Sequence, residues 1–349
     1  FSLGIMNKKL LFPVIYIIVQ SLINIYYYYN GYDVVVLYLE GFGYSIGQFI
    51  TFFVGNTIKY RSINVRRKKV SIIKYFKDFI LLFIFDALCM LNDLLPYYLV
   101  VDEEEIGESG IDTSKELYLN DALQIVFLTF TTYFVLKYKY YIHHFISIAI
   151  LILLCVLIDI IIDNFHHKST YLVIKSIIHI LVESFIYTYF KYLIERKYYF
   201  YMDVLLLLGI INIIVHYISL VIIIIYQKVN DSNELVFQFY TYYIEYGAIG
   251  MIIRFLFIGL FLHGFCVGIL EFIILDKLTP NYVIIGFDMG RIASTLLGIE
   301  GTNRWLILII SIFQIIFLLF YLEIFEFNFC SLNKNTKRNI EERQIEETL

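Results

Sequence analysis

Asp288, Arg291 and Thr295 stand three and four residues apart inside an otherwise apolar stretch. Helical periodicity places all three on one stripe. A guanidinium there offers paired donors to a phosphate or carboxylate. The pattern recurs along the chain. Lys175, His179 and Glu183 repeat at four residues and form a second stripe. Asp86 and Asp93 are two helical turns apart and share a face, as do Gln20 and Asn24 one turn apart. Gln124, Thr129 and Thr132 share one apolar run, and Arg254, His263 and Glu271 another. The plain alternative is static pairing, Lys175 with Glu183 through His179 and Asp288 with Arg291. Several such stripes on separate elements favour a shared polar lining.

The elements that hold these groups are membrane spans. Hydrophobic residues make up 60% of the chain and its mean hydropathy is +0.75. Apolar runs at 10–29, 42–58, 76–98, 118–136, 142–163, 169–190, 200–226, 250–275, 280–298 and 304–326 are long enough, or nearly so, to cross a hydrocarbon core of roughly 30 Å. Helix is the default for each, because unpaired backbone amides in lipid cost several kcal/mol. An ionisable side chain inside such a span costs at least ~2.5 kcal/mol on insertion scales, so each needs a partner or a function. The second span is the thinnest, with Glu40 before it and Gly41, Gly43 and Gly47 at its start.

Lysine and arginine sort by loop. The gaps sharing a face with the N-terminus hold most of the 27, among them Lys8, Lys9, Arg66 to Lys69, Lys137, Lys139, Arg196, Lys197, Lys277, Lys337 and Arg338. Opposite gaps hold only Lys115, Lys168, Lys228 and Arg304, and Lys175, Arg254 and Arg291 lie within spans. The positive-inside rule therefore predicts two cytoplasmic termini. The expected architecture is all-α and polytopic, with about ten transmembrane helices divided as 1–163 and 164–330. A polar cytoplasmic tail follows over 331–349. The loop 101–121 is acidic and non-cytoplasmic, and the aromatic segment 235–249 suits the membrane interface.

Other classes find little support. A net charge of −4, spread by loop, points to no nucleic-acid partner. Cys89, Cys155, Cys266 and Cys330 have no paired spacing, so neither a disulfide framework nor a zinc site is indicated. The first span lacks the small-residue cleavage site of a signal peptide. Gly43-Tyr44-Ser45-Ile46-Gly47 reads as G-x-S-x-G, but a nucleophile elbow needs a strand–turn–helix context. Close helix packing explains these glycines better than a Ser45–His263 dyad. The pairs His143-His144 and His166-His167 diverge by about 100° on a helix, so neither chelates alone. No catalytic residue, cofactor or metal is expected.

The order of features resembles the drug/metabolite transporter superfamily, nearest its nucleotide-sugar-transporter-like and EamA-like members. Residues 121–150, DALQIVFLTFTTYFVLKYKYYIHHFISIAI, look like that family's fourth span, its basic–aromatic turn and its fifth span. Residues 259–298 look like the passage from the eighth span to the ninth. There Thr279 can cap a helix and Pro280 suits its first position. Residues 79–98 look like the third span. The acidic loop 101–121 is longer than the family's usual connection, and Asp86 and Asp93 bracket the place of its third-span acidic residue. The resemblance implies two inverted five-helix repeats around a central solute site. It implies that Gln124, Thr129 and Thr132 from the first half and Asp288, Arg291 and Thr295 from the second line the site, where Arg291 and Arg254 could hold a phosphate or carboxylate. Asp86, Asp93 or Glu183 would then take a coupling ion or proton. The function so implied is a secondary transporter, a solute carrier for a small organic metabolite such as a nucleotide sugar or another anion. The alternatives are a non-transporting scaffold or complex subunit, in which every in-span charge pairs, and an intramembrane enzyme. The partners to expect are membrane lipids, a small-molecule solute and a second copy of the chain.

Overall fold

The structure is a computed structural model that describes residues 8–30, 41–51, 72–99, 118–161, 170–199, 201–229, 234–298 and 304–324. The described residues are helical, joined by short turns, with no strand among them. In chain order the helices are α1 (Lys8–Asn30), α2 (41–51), α3 (Ile72–Leu99), α4 (Leu119–Leu136), α5 (Ile142–Ile161) and α6 (Thr170–Glu195). Then come α7 (Tyr201–Val229), α8 (Glu234–Ile253), a π-helical segment (Arg254–Val267), α9 (Gly268–Lys277), α10 (Asn281–Gly298) and α11 (Arg304–Tyr321). The acidic loop up to residue 117, the segment 52–71 and the tail from 325 lie outside the described residues.

Among the described residues, five helical stretches are long and apolar enough to cross a membrane: Leu119–Leu136, Ile142–Ile161, Val173–Glu195, Tyr201–Ile225 and Gly247–Lys277. Shorter apolar runs occupy Leu11–Tyr26 and Trp305–Tyr321. Large apolar side chains such as Phe130, Ile160, Ile222 and Ile225 are exposed on the outer faces of these helices. That suits a membrane-embedded, all-helical protein, whose helices associate by close packing because lipid is as apolar as leucine.

Local chemistry sets the helix ends. Lys137, Tyr198 and Glu323 adopt left-handed conformations where α4, α6 and α11 stop. The carboxylate of fully buried Asp159, at the far end of α5, accepts the backbone N–H groups of Tyr118 and Leu119 at 2.9 Å each. It thereby satisfies donors that the start of α4 cannot pair internally. Gly247 breaks α8 at φ 67° and ψ 172°, a conformation glycine enters without Cβ strain. The break separates the aromatic stretch that begins at Glu234 from the long span beginning at Gly247.

The principal helix pairs are α1 with α10, α4 with α6, α5 with α11, α3 with α6 and α7, α4 with α5, and α10 with α11. Helix α1 also packs on the π-helical segment and on α9. One apolar core gathers Tyr16, Leu193, Leu205, Ile211, Phe272 and Ile274, and a second gathers Leu128, Ile284, Ile285 and Leu318.

Contacts at the helix ends fix their directions. The Lys197 ammonium, after α6, pairs with Asp78 in the second turn of α3. Lys191 near the end of α6 donates to the Leu275 carbonyl of α9 at 2.5 Å, and Arg196 donates to the Leu136 carbonyl of α4 at 3.0 Å. Lys277 lies over the Phe12 ring of α1, 4.4 Å from its centre. The starts of α1 and α3 thus meet the ends of α4, α6 and α9 at one basic end of the bundle.

Candidate functional site

Some of the polar residues read from the sequence, Gln124, Glu183, Asp288 and Arg291, come together where α4, α6 and α10 meet. Helix α4 presents Asp121 and Gln124 one turn apart. The Gln124 amide donates to the Glu183 carboxylate of α6 at 2.6 Å, and His179 Nε2 lies 3.9 Å from the same carboxylate oxygen. Arg291 of α10 forms an ion pair with Asp121 at 3.0 Å, and its guanidinium stacks over Tyr118 at 5.6 Å. Contacts between helices join the pairings expected from the sequence: His179 stands beside Glu183 on α6, and Arg291 is an electrostatic neighbour of Asp288 on α10. Glu183 is held by Gln124 as well as by His179, and Arg291 engages Asp121 across the interface.

Asp288 is 2% exposed, and neither carboxylate oxygen has a hydrogen-bond partner among the described residues. Its electrostatic neighbours are Asp121, Arg291 and Glu183. On the α1 side, Gln20 packs directly against Gly290, where an added Cβ would lie 3.1 Å from the Gln20 carbonyl carbon.

Toward the basic end, the Tyr16 hydroxyl of α1 donates to the Glu271 carboxylate of α9 at 2.9 Å, and the Gln20 amide donates to the Tyr16 oxygen at 3.1 Å. Tyr16 and Glu271 are both buried, 255 positions apart in the chain. The sequence reading missed Tyr16 because tyrosine counts as apolar in a hydropathy scan. Its signal was the four-residue spacing to Gln20.

Thr129 and Thr132 join a tyrosine cluster. Thr129 bonds the Tyr321 hydroxyl at 2.6 Å, Thr132 bonds the Tyr140 hydroxyl at 2.5 Å, and Asn281 donates to Tyr321 at 2.6 Å. These contacts tie the ends of α4 and α11 to the start of α10. Burial pushes the Tyr140 phenol above its ordinary value, while its hydrogen bonds to Thr132 and Asn281 pull the other way. Arg254 is buried near the start of the long span, with its guanidinium 5.5 Å from the Tyr26 ring. Asp86 faces Asn212 of α7, whose amide nitrogen reaches both carboxylate oxygens at 2.9 and 3.0 Å when turned toward them. The side chains of Asp93 and Thr295 lie outside the described residues.

Three further features bear on the alternatives. The G-x-S-x-G segment is helical, and buried Ser45 donates its hydroxyl to the Gly41 carbonyl at 2.8 Å. The first histidine pair diverges less than helical spacing suggests. The His143 and His144 rings lie 4.0 Å apart, with their Nε2 atoms 3.0 and 3.7 Å from one Glu323 oxygen. One ligand atom from each of the three residues falls within 4.8 Å of the others. His144 Nδ1 already accepts the Tyr141 backbone N–H at 3.2 Å. Its proton then sits on Nε2, the ring nitrogen that faces Glu323 at 3.7 Å. The trio is a tether between the start of α5 and the end of α11. Finally, a groove of about 150 Å³ between α2 and the π-helical segment is lined by Gly47, Ile50, Leu260, Phe261 and Phe265, and none of the expected site residues borders it.

No protein-family model and no curated protein matches the chain.

Proposed function

We propose that the chain is a secondary transporter that moves a small organic solute by alternating access. Ten membrane-spanning helices form two inverted five-helix repeats, residues 1–163 and 164–330, with both termini cytoplasmic. The observation that carries this reading is the helix pairing. Number the halves so that α1 corresponds to α6, α2 to α7, α3 to the π-helical segment with α9, α4 to α10, and α5 to α11. Exchanging the halves turns α1 with α10 into α6 with α4, and α4 with α5 into α10 with α11. It turns α3 with α6 into α9 with α1, and leaves α5 with α11 and α4 with α10 in place. The close approach of α2 to the π-helical segment answers the pairing of α7 with α3. Inverted repeats related in this way place a solute site at their interface.

Two contacts are then suited to act as closures. Tyr16 to Glu271 joins α1 to α9 toward the basic end, and Arg291 to Asp121 joins α10 to α4 toward the other. Between them lie Gln20, Gln124, Glu183 and Asp288. Opening either end requires one closure to break while the other holds. The scaffold reading requires every in-span charge to pair, and Asp288 argues against it.

The test is counterflow. Protein in liposomes preloaded with each of a panel of unlabelled metabolites, sugars, amines and nucleotide sugars included, should accumulate the matching labelled solute for at least one member. Accumulation equal to that of protein-free liposomes across the whole panel would contradict the proposal.

A further inference from the structure

We propose that Asp288 is the anionic anchor for a positively charged group, so that the solute is a small organic ammonium. This rests on the transport reading for movement, but not for binding. Asp288 sits midway along α10, almost fully buried, with two carboxylate oxygens that receive no hydrogen bond among the described residues. Neutral groups left in that state are costly and ions more so, unless a partner arrives.

Among the described residues, no neighbour donates a hydrogen bond to Asp288. Among the described residues, the charged groups within electrostatic reach of Asp288, counting itself, are three carboxylates and one guanidinium. That guanidinium, Arg291, is committed to Asp121 at 3.0 Å. From α6, Glu183 adds a like charge and is itself served by Gln124 and His179. From α1 comes Gln20, which donates to Tyr16, and Tyr16 donates to Glu271 of α9. The base on α9, Lys277, lies over Phe12. Helix α11 brings neutral Ser311 and Gln314, and the Gln314 amide donates to Cys155. A bound ammonium would supply both the missing donors and the missing charge. A phosphate or carboxylate would meet a surplus of negative charge where the dielectric is low.

The experiment uses the full chain in detergent with five probes: choline, putrescine and lysine as cations, UDP-glucose and glucose 6-phosphate as anions. Thermal unfolding is followed against probe concentration for wild type, Asp288→Asn and Asp288→Glu, and each binding probe is then tested for counterflow in liposomes. At least one cation should stabilise wild type. Its affinity should fall about tenfold or more in Asp288→Asn, as expected for a lost charge-assisted contact, and recover in part in Asp288→Glu. If Asp288→Asn fails to fold, a shift in cation affinity in Asp288→Glu serves in its place. Stabilisation by no cation, or by an anion with unchanged affinity in the variants, overturns the proposal. Asp288-dependent cation binding without counterflow upholds the anchor and overturns the transport reading instead.

Discussion

Gly264→Val is expected to destabilise the folded chain by about 3 kcal/mol or more, at or beyond the top of the usual range for overpacking. A Cβ at Gly264 would stand 2.6 Å from both the Gly47 Cα and the Tyr44 carbonyl oxygen. A Cβ at Gly47 would stand 2.7 Å from the Gly264 Cα, and one at Gly43 would stand 2.7 Å from the Phe255 carbonyl. These obstacles are backbone atoms, so the clash can be relieved only by moving α2 away from the π-helical segment. In a membrane, where packing rather than burial from water joins helices, such a shift removes much of what holds the pair. Gly268→Ala is the control, because the nearest atom to its added Cβ is the Gln48 Cγ at 3.4 Å, an ordinary contact. Thermal unfolding in detergent should separate the two variants clearly. Equal midpoints would contradict the close approach of α2.

The second large effect is at the ion pair between α4 and α10. Arg291 and Asp121 are 19% and 13% exposed, so removing one partner leaves the other largely buried. Arg291→Ala and Asp121→Ala should each cost about 2–4 kcal/mol, somewhat below the range for fully buried pairs. The pair Arg291→Gln with Asp121→Asn should recover much of this, because neutral amides replace two charges that need each other. A double-mutant cycle on chemical unfolding should give a coupling energy of about 1–3 kcal/mol. Additive single effects would mean that the 3.0 Å contact does not join α4 to α10.

Much of the helical framework was legible in the sequence. The expected span 118–136 became Leu119–Leu136, 142–163 became Ile142–Ile161, and 280–298 became Asn281–Gly298. Apolar run length decides such boundaries, and Pro280 marks the last of these starts. The in-span charges were legible as stripes for the same reason. Their partners were not. Nothing local to Glu271 announces Tyr16, and nothing near Arg291 announces Asp121, which reads in sequence as the last acid of a polar loop. Asp159 gave no hint that it caps α4 from the end of α5. Thr129 and Thr132 were read as lining residues. Their hydroxyls bond Tyr321 and Tyr140, whose long side chains reach from neighbouring segments and which no local pattern announces. Periodicity fixes which face of a helix a residue occupies, and only the packing of two faces fixes its partner.

The central claim is that Gln124 and Asp288 line a site reached from each side of the membrane in turn. A single cysteine placed by Gln124→Cys, with Cys89, Cys155, Cys266 and Cys330 replaced by serine, reports this directly. A membrane-impermeant maleimide is applied to right-side-out and to inside-out vesicles, with and without a solute found to exchange. Alternating access predicts labelling from both faces, with added solute raising one rate while lowering the other. Labelling from one face only, whatever the solute, or from neither, would contradict it.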